Sequence, residues 1–455
     1  MKKNQVYLIK SKKEYHNSLF CVKDYFKELD ISISLESDLE IYQSFRELLM
    51  NMGLDKENQH TEHWNPFKDF IKPNDHVLIK PNLVKHINAG EGTIDCLITN
   101  FSILRPIIDY TILALNQTGK IIVGDAPVQE CDFNELKKIN HLEDNIKKYQ
   151  TIYENISLID FRKNQNPDIA CQTVQINEFS SFKELDEVKK EYAITNYNLS
   201  LMNEHHKKGI HEYIIPVDVL DADVIINVPK PKTHRKAGIT ACMKNFVGIN
   251  GNKECLPHHR SGGPKQNGDE FPENNLLKNI YSHLAKQSYR KNKLIDFTRK
   301  VVSFGLSKIH LNRFQEGSWY GNDTIYRTIL DLNKLVLYTD KKGILQKTPQ
   351  RVLFNVADMI ISGEKEGPLL PMDKKVGLIV ASFNPLDMDY VICQIMGFDP
   401  KKIKYIDKGY QLKELPISLS NKKVEIFAND KKIKNLKEYN YHFQATDGWK
   451  DYLEK

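Results

Sequence analysis

Apolar positions along the chain follow two periods. Tyr42, Phe45, Leu48, Leu49 and Met52 recur at helical spacing, and Gly53 is placed to stop that helix. Val6–Ile9 reads as a short strand. His76-Val77-Leu78-Ile79-Lys80 is a short apolar run that ends at Pro81, a buried strand. From Ile103 to Leu115 the apolar residues fall at 103, 104, 107, 108, 112 and 115, which predicts an amphipathic helix closed by Gly119. Lys120–Gly124 is the next strand, so strand, helix and strand form a βαβ unit with parallel pairing and a right-handed crossover. Ser157–Phe161, Tyr213–Val217, Ala222–Val228 and Val376–Ala381 are further strand candidates. Leu386–Met396 is a helix stopped by Gly397, and Leu276–Leu311 is helical in pattern and basic, with a break near Gly305.

These elements predict an α/β fold, a parallel βαβ sheet with helices on both faces, in two lobes with the site between them. The expected organisation is a lead-in over 1–75, an α/β core over 76–400 with a mainly helical insertion at 261–320, and an appendage over 401–455. In open parallel sheets ligands bind beyond the carboxyl ends of strands, which makes Lys80, Asn82 and Asp125 ligand-binding candidates.

Composition narrows the class. A chain of 455 residues, 40% hydrophobic and 27% charged, is a folded protein large enough for one big α/β domain or two lobes. Seven cysteines, none in a C-x-x-C spacing, exclude zinc ribbons and thioredoxin-type motifs, predict no iron–sulfur cluster and suit reduced thiols. Neither a leader-like apolar run nor a stretch of ~20 apolar residues occurs, so a cytoplasmic protein without a membrane partner is expected.

The charge is unevenly spread. Lys and Arg number 65 against 59 Asp and Glu, a net +6. Residues 229–265 alone hold Lys230, Lys232, Arg235, Lys236, Lys244, Lys253, Arg260 and Lys265 against Glu254, a surplus of seven, so the other 418 residues sum to −1. This segment follows directly on a buried strand and contains Ile239, Met243, Phe246 and Val247, apolar residues whose burial draws the charges inward. Its glycines permit close backbone approach to an anion, and Lys and Arg neutralise phosphate or carboxylate. Nucleic acid is the weaker alternative, because Phe246 is the segment's one aromatic residue and no nucleic-acid module is visible. The adjacent His258 and His259 would face opposite ways in a strand, so one acts as ligand and the other as second-sphere or acid/base group.

Downstream, Asn322, Asp323, Arg327 and Asp331 form one polar cluster, and Asp358, Glu364 and Glu366 another, with Gly363 and Gly367 around the glutamates. As loops near strand ends, 321–331 and 358–366 are placed to hold Mg²⁺ or Mn²⁺ through Asp323, Glu364 and Glu366. Asp387 and Asp389 open a helix and read as caps.

Four separated blocks resemble the bacterial and archaeal family called domain of unknown function 362: VLIKPNLV (77–84), IIVGDAP (121–127), DADVIINVPKPKTHRKAGITACMKNFVGI (221–249) and VADMIISGEKEGPL (356–369). The resemblance spans roughly 70–400 and implies no assigned activity. Many relatives carry ferredoxin-like cysteine motifs, which this chain lacks. A second resemblance, to nickel-pincer lactate racemases, rests on Ala222, Asp223, Ile226, His234, Ala237, Gly238 and Lys244. It implies Lys244 as a cofactor tether, His234 as acid/base and His258 as a ligand. Those enzymes have paired glycines where this chain has Cys242-Met243, so a nickel cofactor ranks below Mg²⁺ or Mn²⁺.

The reading is an enzyme, in the manner of a metal- or cofactor-dependent isomerase, racemase or transferase, acting on a small anionic metabolite. His234, Lys244 and His258 are its catalytic candidates. Lys80, Asn82, Asp125, Lys230, Lys232, Asn245, His259, Arg260, Asn322 and Arg327 are its ligand-binding candidates. The alternatives are a non-catalytic accessory protein that binds a cofactor, metal or metabolite, and a nucleic-acid binder.

Overall fold

The computed structural model describes residues 4–194, 197, 199–287, 301, 314–418 and 423–454. Eleven strands form its central sheet: β1 Gln5–Lys10, β2 His76–Pro81, β3 Lys120–Asp125, β4 Ile156–Asp160, β5 Val224–Val228, β6 Lys232–His234, β7 Gly238–Thr240, β8 Val352–Glu366, β9 Leu370–Ser382, β10 Glu425–Ala428 and β11 Lys431–Ile433. The spatial order is β11-β10-β1-β9-β8-β5-β2-β3-β4, with β6 joined to β8 and β7 to β6. From β8 to β4 all neighbours are parallel, while β9 runs antiparallel between β1 and β8.

Strand alternation decides which side chain enters which layer. On β2, Val77 and Ile79 enter one core with helices α1 (Leu39–Asn51) and α2 (Phe101–Leu115), while Leu78 enters the other. On β5, Val224 and Ile226 follow the first pattern and Ile225 the second. The second core is closed by α3 (Cys242–Asn245), α4 (Ile325–Tyr338) and α5 (Pro385–Ile395). Both sheet faces are covered, as a parallel sheet requires.

Several expectations change. Helix α2 is not amphipathic in use, because nearly every residue is buried under the 18–37 hairpin and α1. Its Arg105 is enclosed and donates to the carbonyls of Leu35 and Phe20, each at 2.8 Å. The two terminal regions are not a lead-in and an appendage: β1 pairs with β9 on one side and β10 on the other, Val6 opposite Ile426, so both ends are woven into the one sheet. The strand expected at 213–217 is Ile210–Pro216 and lies in a separate three-stranded antiparallel sheet. Of the expected 261–320 helical insertion, Leu276–Gln287 is helical. The break near Gly305 lies outside the described residues. No helix among the described residues is long and apolar enough to cross a membrane.

Candidate functional site

Strands β5, β2 and β3 are adjacent and end together, with Val228 opposite Pro81 and Ile79 opposite Val123. Beyond their carboxyl ends lies a cavity of about 370 Å³. Its polar lining includes Asn82, Asp125, Lys232, His234, Arg235, Lys236, Lys244, Asn245, Lys253 and His258, and its apolar lining includes Val84, Val128, Val247, Leu256 and Leu369. The cavity therefore sits at the strand ends of one continuous sheet.

A buried polar chain fixes its floor. Asn227 donates to Asn355 at 2.9 Å, and Asn245 donates to Asn227 at 2.8 Å. The Asn245 side-chain oxygen receives Asn82 at 3.0 Å and Lys80 at 3.2 Å. Lys80, with no exposed surface, pairs with Asp125 at 2.6 Å, and Asp125 also accepts the backbone N–H groups of Leu83 (2.6 Å) and Ala126 (2.8 Å). Burial lowers the Lys80 pKa despite this partner. Gly248 is required by close approach, since a Cβ there would lie 2.0 Å from the Asp125 Oδ1 and 2.7 Å from the Lys80 Nζ. Gly248→Ala is expected to push this pair apart and destabilise the protein by about 1–3 kcal/mol, read as a lower urea midpoint.

Four lysines of the cavity have no carboxylate at ion-pair distance among the described residues. Lys232 Nζ donates to the Asn82 side-chain oxygen at 2.6 Å, Lys253 to the Val247 carbonyl at 3.2 Å, and Lys236 approaches His259 Nδ1 at 3.4 Å. The Lys244 side chain makes no hydrogen bond among the described residues. Burial first, then neighbouring cations, push Lys232 and Lys253 down to about 7. Lys236 and Lys244 are lowered to about 8 for the same main cause, with Glu316 at the cavity edge opposing the shift in Lys236. Ammonium groups buried without counterions are unfavourable, and an anionic ligand would offset that cost.

The two histidines of the cavity are locked in opposite tautomers. His234 Nδ1 accepts the backbone N–H groups of Lys236 (3.0 Å) and Ala237 (3.1 Å), so its proton sits on Nε2. His258 Nδ1 lies 2.7 Å from the Leu256 carbonyl, which only accepts, so the proton is on Nδ1 and Nε2 keeps a lone pair. Burial and the surrounding lysines hold both rings well below the usual imidazole range, so both are neutral. His234 thus presents an Nε2–H donor, and His258 an Nε2 lone pair.

Seven expected residues line the cavity together: Asn82, Asp125, Lys232, His234, Lys244, Asn245 and His258. Others stand behind it or elsewhere. Lys80 lies beneath the floor. Lys230 pairs with Asp358 at 2.9 Å and donates to Tyr15, also at 2.9 Å. His259, facing away from His258, backs Lys236. Asn322 caps α4, its oxygen accepting from Thr324 and Ile325, and its amide donates to the His258 carbonyl at 2.9 Å. Arg260 and Arg327 both turn to Asp323, at 3.3 and 3.2 Å.

The metal trio is not assembled. Asp323 is held by those arginines, Glu364 pairs with Lys374 at 3.1 Å, and Glu366 accepts the Asp447 N–H at 2.7 Å. Residues 358–366 are no loop but part of the long strand β8, which carries successive side chains to opposite faces. Among the described residues no group of three or more His, Cys, Asp or Glu could hold one ion. The helix-opening role of Asp389 also moves: Asn384 caps α5, and Asp389 accepts Cys242 N–H (2.7 Å) and Met243 N–H (3.0 Å), capping α3.

Lys236, Lys253, Thr240 and Gly248 line the cavity but stood only within the basic segment as a whole. Glu130 and Glu316 also line it, and no local pattern distinguishes them.

The fold and site define an α/β protein with a cation-lined cavity at the carboxyl ends of parallel strands. The chain belongs to the family described as Domain of unknown function (DUF362), which it matches over residues 77–394. No curated protein matches it. Among solved structures, a Thermotoga maritima protein determined by the Northeast Structural Genomics Consortium is similar at 12% identity and a TM-score of 0.31, over 80% of this chain and 59% of that one. That likeness is too distant to carry an argument. The racemase resemblance rests on its sequence motif alone.

Proposed function

We propose that the protein is an enzyme acting on a small metabolite that carries a phosphate or several carboxylates, bound at the carboxyl ends of β5, β2 and β3. One observation carries the reading: Lys232, Lys236, Lys244 and Lys253 share a cavity of metabolite size with no carboxylate paired to any of them among the described residues. His258, with a free Nε2 lone pair among cations, is the group suited to take a proton from the bound ligand, and His234 Nε2–H to donate to a ligand oxygen. The charge of the 229–265 segment is turned inward. Lys230, Lys232, Lys236, Lys244, Lys253 and Arg260 are each less than a tenth exposed, which does not suit a surface laid along a phosphate backbone.

The test is calorimetric titration with pyrophosphate, inorganic phosphate and 2-oxoglutarate. Binding is expected to take up protons at pH 8, because a bound anion restores the charge of the depressed lysines. It would appear as a heat that varies with the ionisation enthalpy of the buffer. Lys244→Met should weaken binding roughly 10–100-fold, the worth of one hydrogen bond to a charged group. The same variant should be no less stable than the parent, since it removes an unpaired buried charge and leaves no partner behind. Absence of binding by all three anions would overturn the reading.

A further inference from the structure

We infer that Lys244 is a nucleophile and that its ligand carries a carbonyl group beside the anion, so that a 2-oxo acid or a phosphorylated aldehyde or ketone condenses with the Lys244 amine to form an imine. This rests on the anion-binding reading above and adds a covalent step to it.

The four lysines are not equivalent. Lys232, Lys236 and Lys253 each have Nζ near a fixed polar atom, the side chain of Asn82, the ring of His259 and the carbonyl of Val247. Each is steered by that fixed neighbour, and burial favours its neutral form as it does that of Lys244, so the steering is what separates them. Lys244 Nζ has no hydrogen-bond partner among the described residues, although its backbone is rigid. Asp389 holds the first two amides of its helical turn, and the next residue, Asn245, is fixed in the floor network. The anchored backbone positions the amine in the cavity with His258 beside it as base, and no fixed acceptor diverts it from a bound carbonyl. Burial and the nearby Lys236 and Lys80 charges favour the neutral amine.

The neighbouring rings fit the proton movements. The Lys244 nitrogen lone pair attacks the carbonyl carbon while His234 Nε2–H hydrogen-bonds the carbonyl oxygen and keeps its proton. The two amine protons pass in turn through His258 Nε2 to that oxygen, the first completing the carbinolamine hydroxyl and the second releasing it as water. The products are one imine and one water from one amine and one carbonyl, with no oxidant or reductant consumed. The other three lysines hold the carboxylates or phosphate of that carbonyl compound, whereas pyrophosphate, with no carbonyl, takes a hydrogen bond from Lys244 as well.

The experiment is borohydride trapping on the full chain. The protein is mixed in turn with 2-oxoglutarate, pyruvate and dihydroxyacetone phosphate, reduced, and measured by intact-mass and peptide mass spectrometry. The expected result is a single adduct for at least one probe, with a mass gain equal to the probe less one oxygen atom, located on Lys244. It should be lost in Lys244→Arg and suppressed in the parent protein by excess pyrophosphate, which has no carbonyl. The suppression arm needs no variant, so a misfolded Lys244→Arg does not remove the test. Reduction that labels no residue, or labels surface lysines with Lys244 unmodified, overturns the imine. If pyrophosphate still binds calorimetrically, the imine alone fails and the anion reading survives. If nothing binds, both fail.

Discussion

Replacing Asp125 by alanine should destabilise the protein by about 3–5 kcal/mol, the cost of leaving a buried charge without its partner. Lys80 is fully enclosed, so its ammonium cannot turn to water when the carboxylate is gone. The Leu83 N–H loses its acceptor at the same time, while the Ala126 N–H keeps the Gly248 carbonyl. Lys80→Met should cost less, because Asp125 would retain both of those backbone donors. The double change Lys80→Met with Asp125→Leu should be markedly less damaging than the sum of the two, as it removes both charges together. Urea denaturation of the four proteins measures this. Additive costs would show that the pair is not coupled and that the floor of the cavity is held by the asparagines alone.

The second large effect is on stability against pH. In an unfolded chain the lysines titrate near ~10.4. In the folded protein Lys232 and Lys253 lie at about 7 and Lys236 and Lys244 at about 8. Below pH 7 both states are protonated and the burial penalty is complete. As pH rises above 7 the folded state releases protons that the unfolded state keeps. The unfolded state then binds more protons, and stability increases with pH by at most ~1.4 kcal/mol per unit for each group. Buried thiols act the other way: Cys96 and Cys255 are raised to about 12 and Cys131 to about 11, so above the ordinary thiol pKa of ~8.5 the unfolded chain ionises first. The ligand-free protein should therefore gain on the order of 2 kcal/mol between pH 7 and 8.5, then level off. Saturating pyrophosphate should flatten the rise, since a bound anion keeps the lysines charged. Thermal melts at constant ionic strength decide it. A ligand-free profile that is flat from pH 7 to 8.5 would mean that these lysines keep ordinary pKa values.

Much of the site was legible from short-range pattern. Strands β2, β3 and β5 announced themselves as apolar runs that end in polar residues, and the rule for open parallel sheets then placed Lys80, Asn82 and Asp125 near a ligand. The uneven charge gave the address of the other wall, and Lys232, His234, Lys244 and His258 do line the cavity. The acidic residues were misread because their sequence neighbours do not say what they face. Glycines at 363 and 367 suggested a loop, yet Gly363 lies within β8, where its missing side chain makes room for the Lys232 Cβ. Asp323 and Glu364 looked like free oxygen ligands and are neutralised by Arg260, far off in sequence, and by Lys374, across the β8–β9 hairpin.

By itself, then, the sequence determined the βαβ order, the strand ends and the concentration of positive charge in one segment, because periodicity and local composition are set by residues a few positions apart. Only the tertiary structure decided which lysines lack a partner, which carboxylates are already spent in ion pairs, and which nitrogen of each histidine carries its proton. Those depend on contacts between elements and on backbone groups aimed by the fold. At His234 two such N–H groups leave a donor, and at His258 a single carbonyl leaves a lone pair.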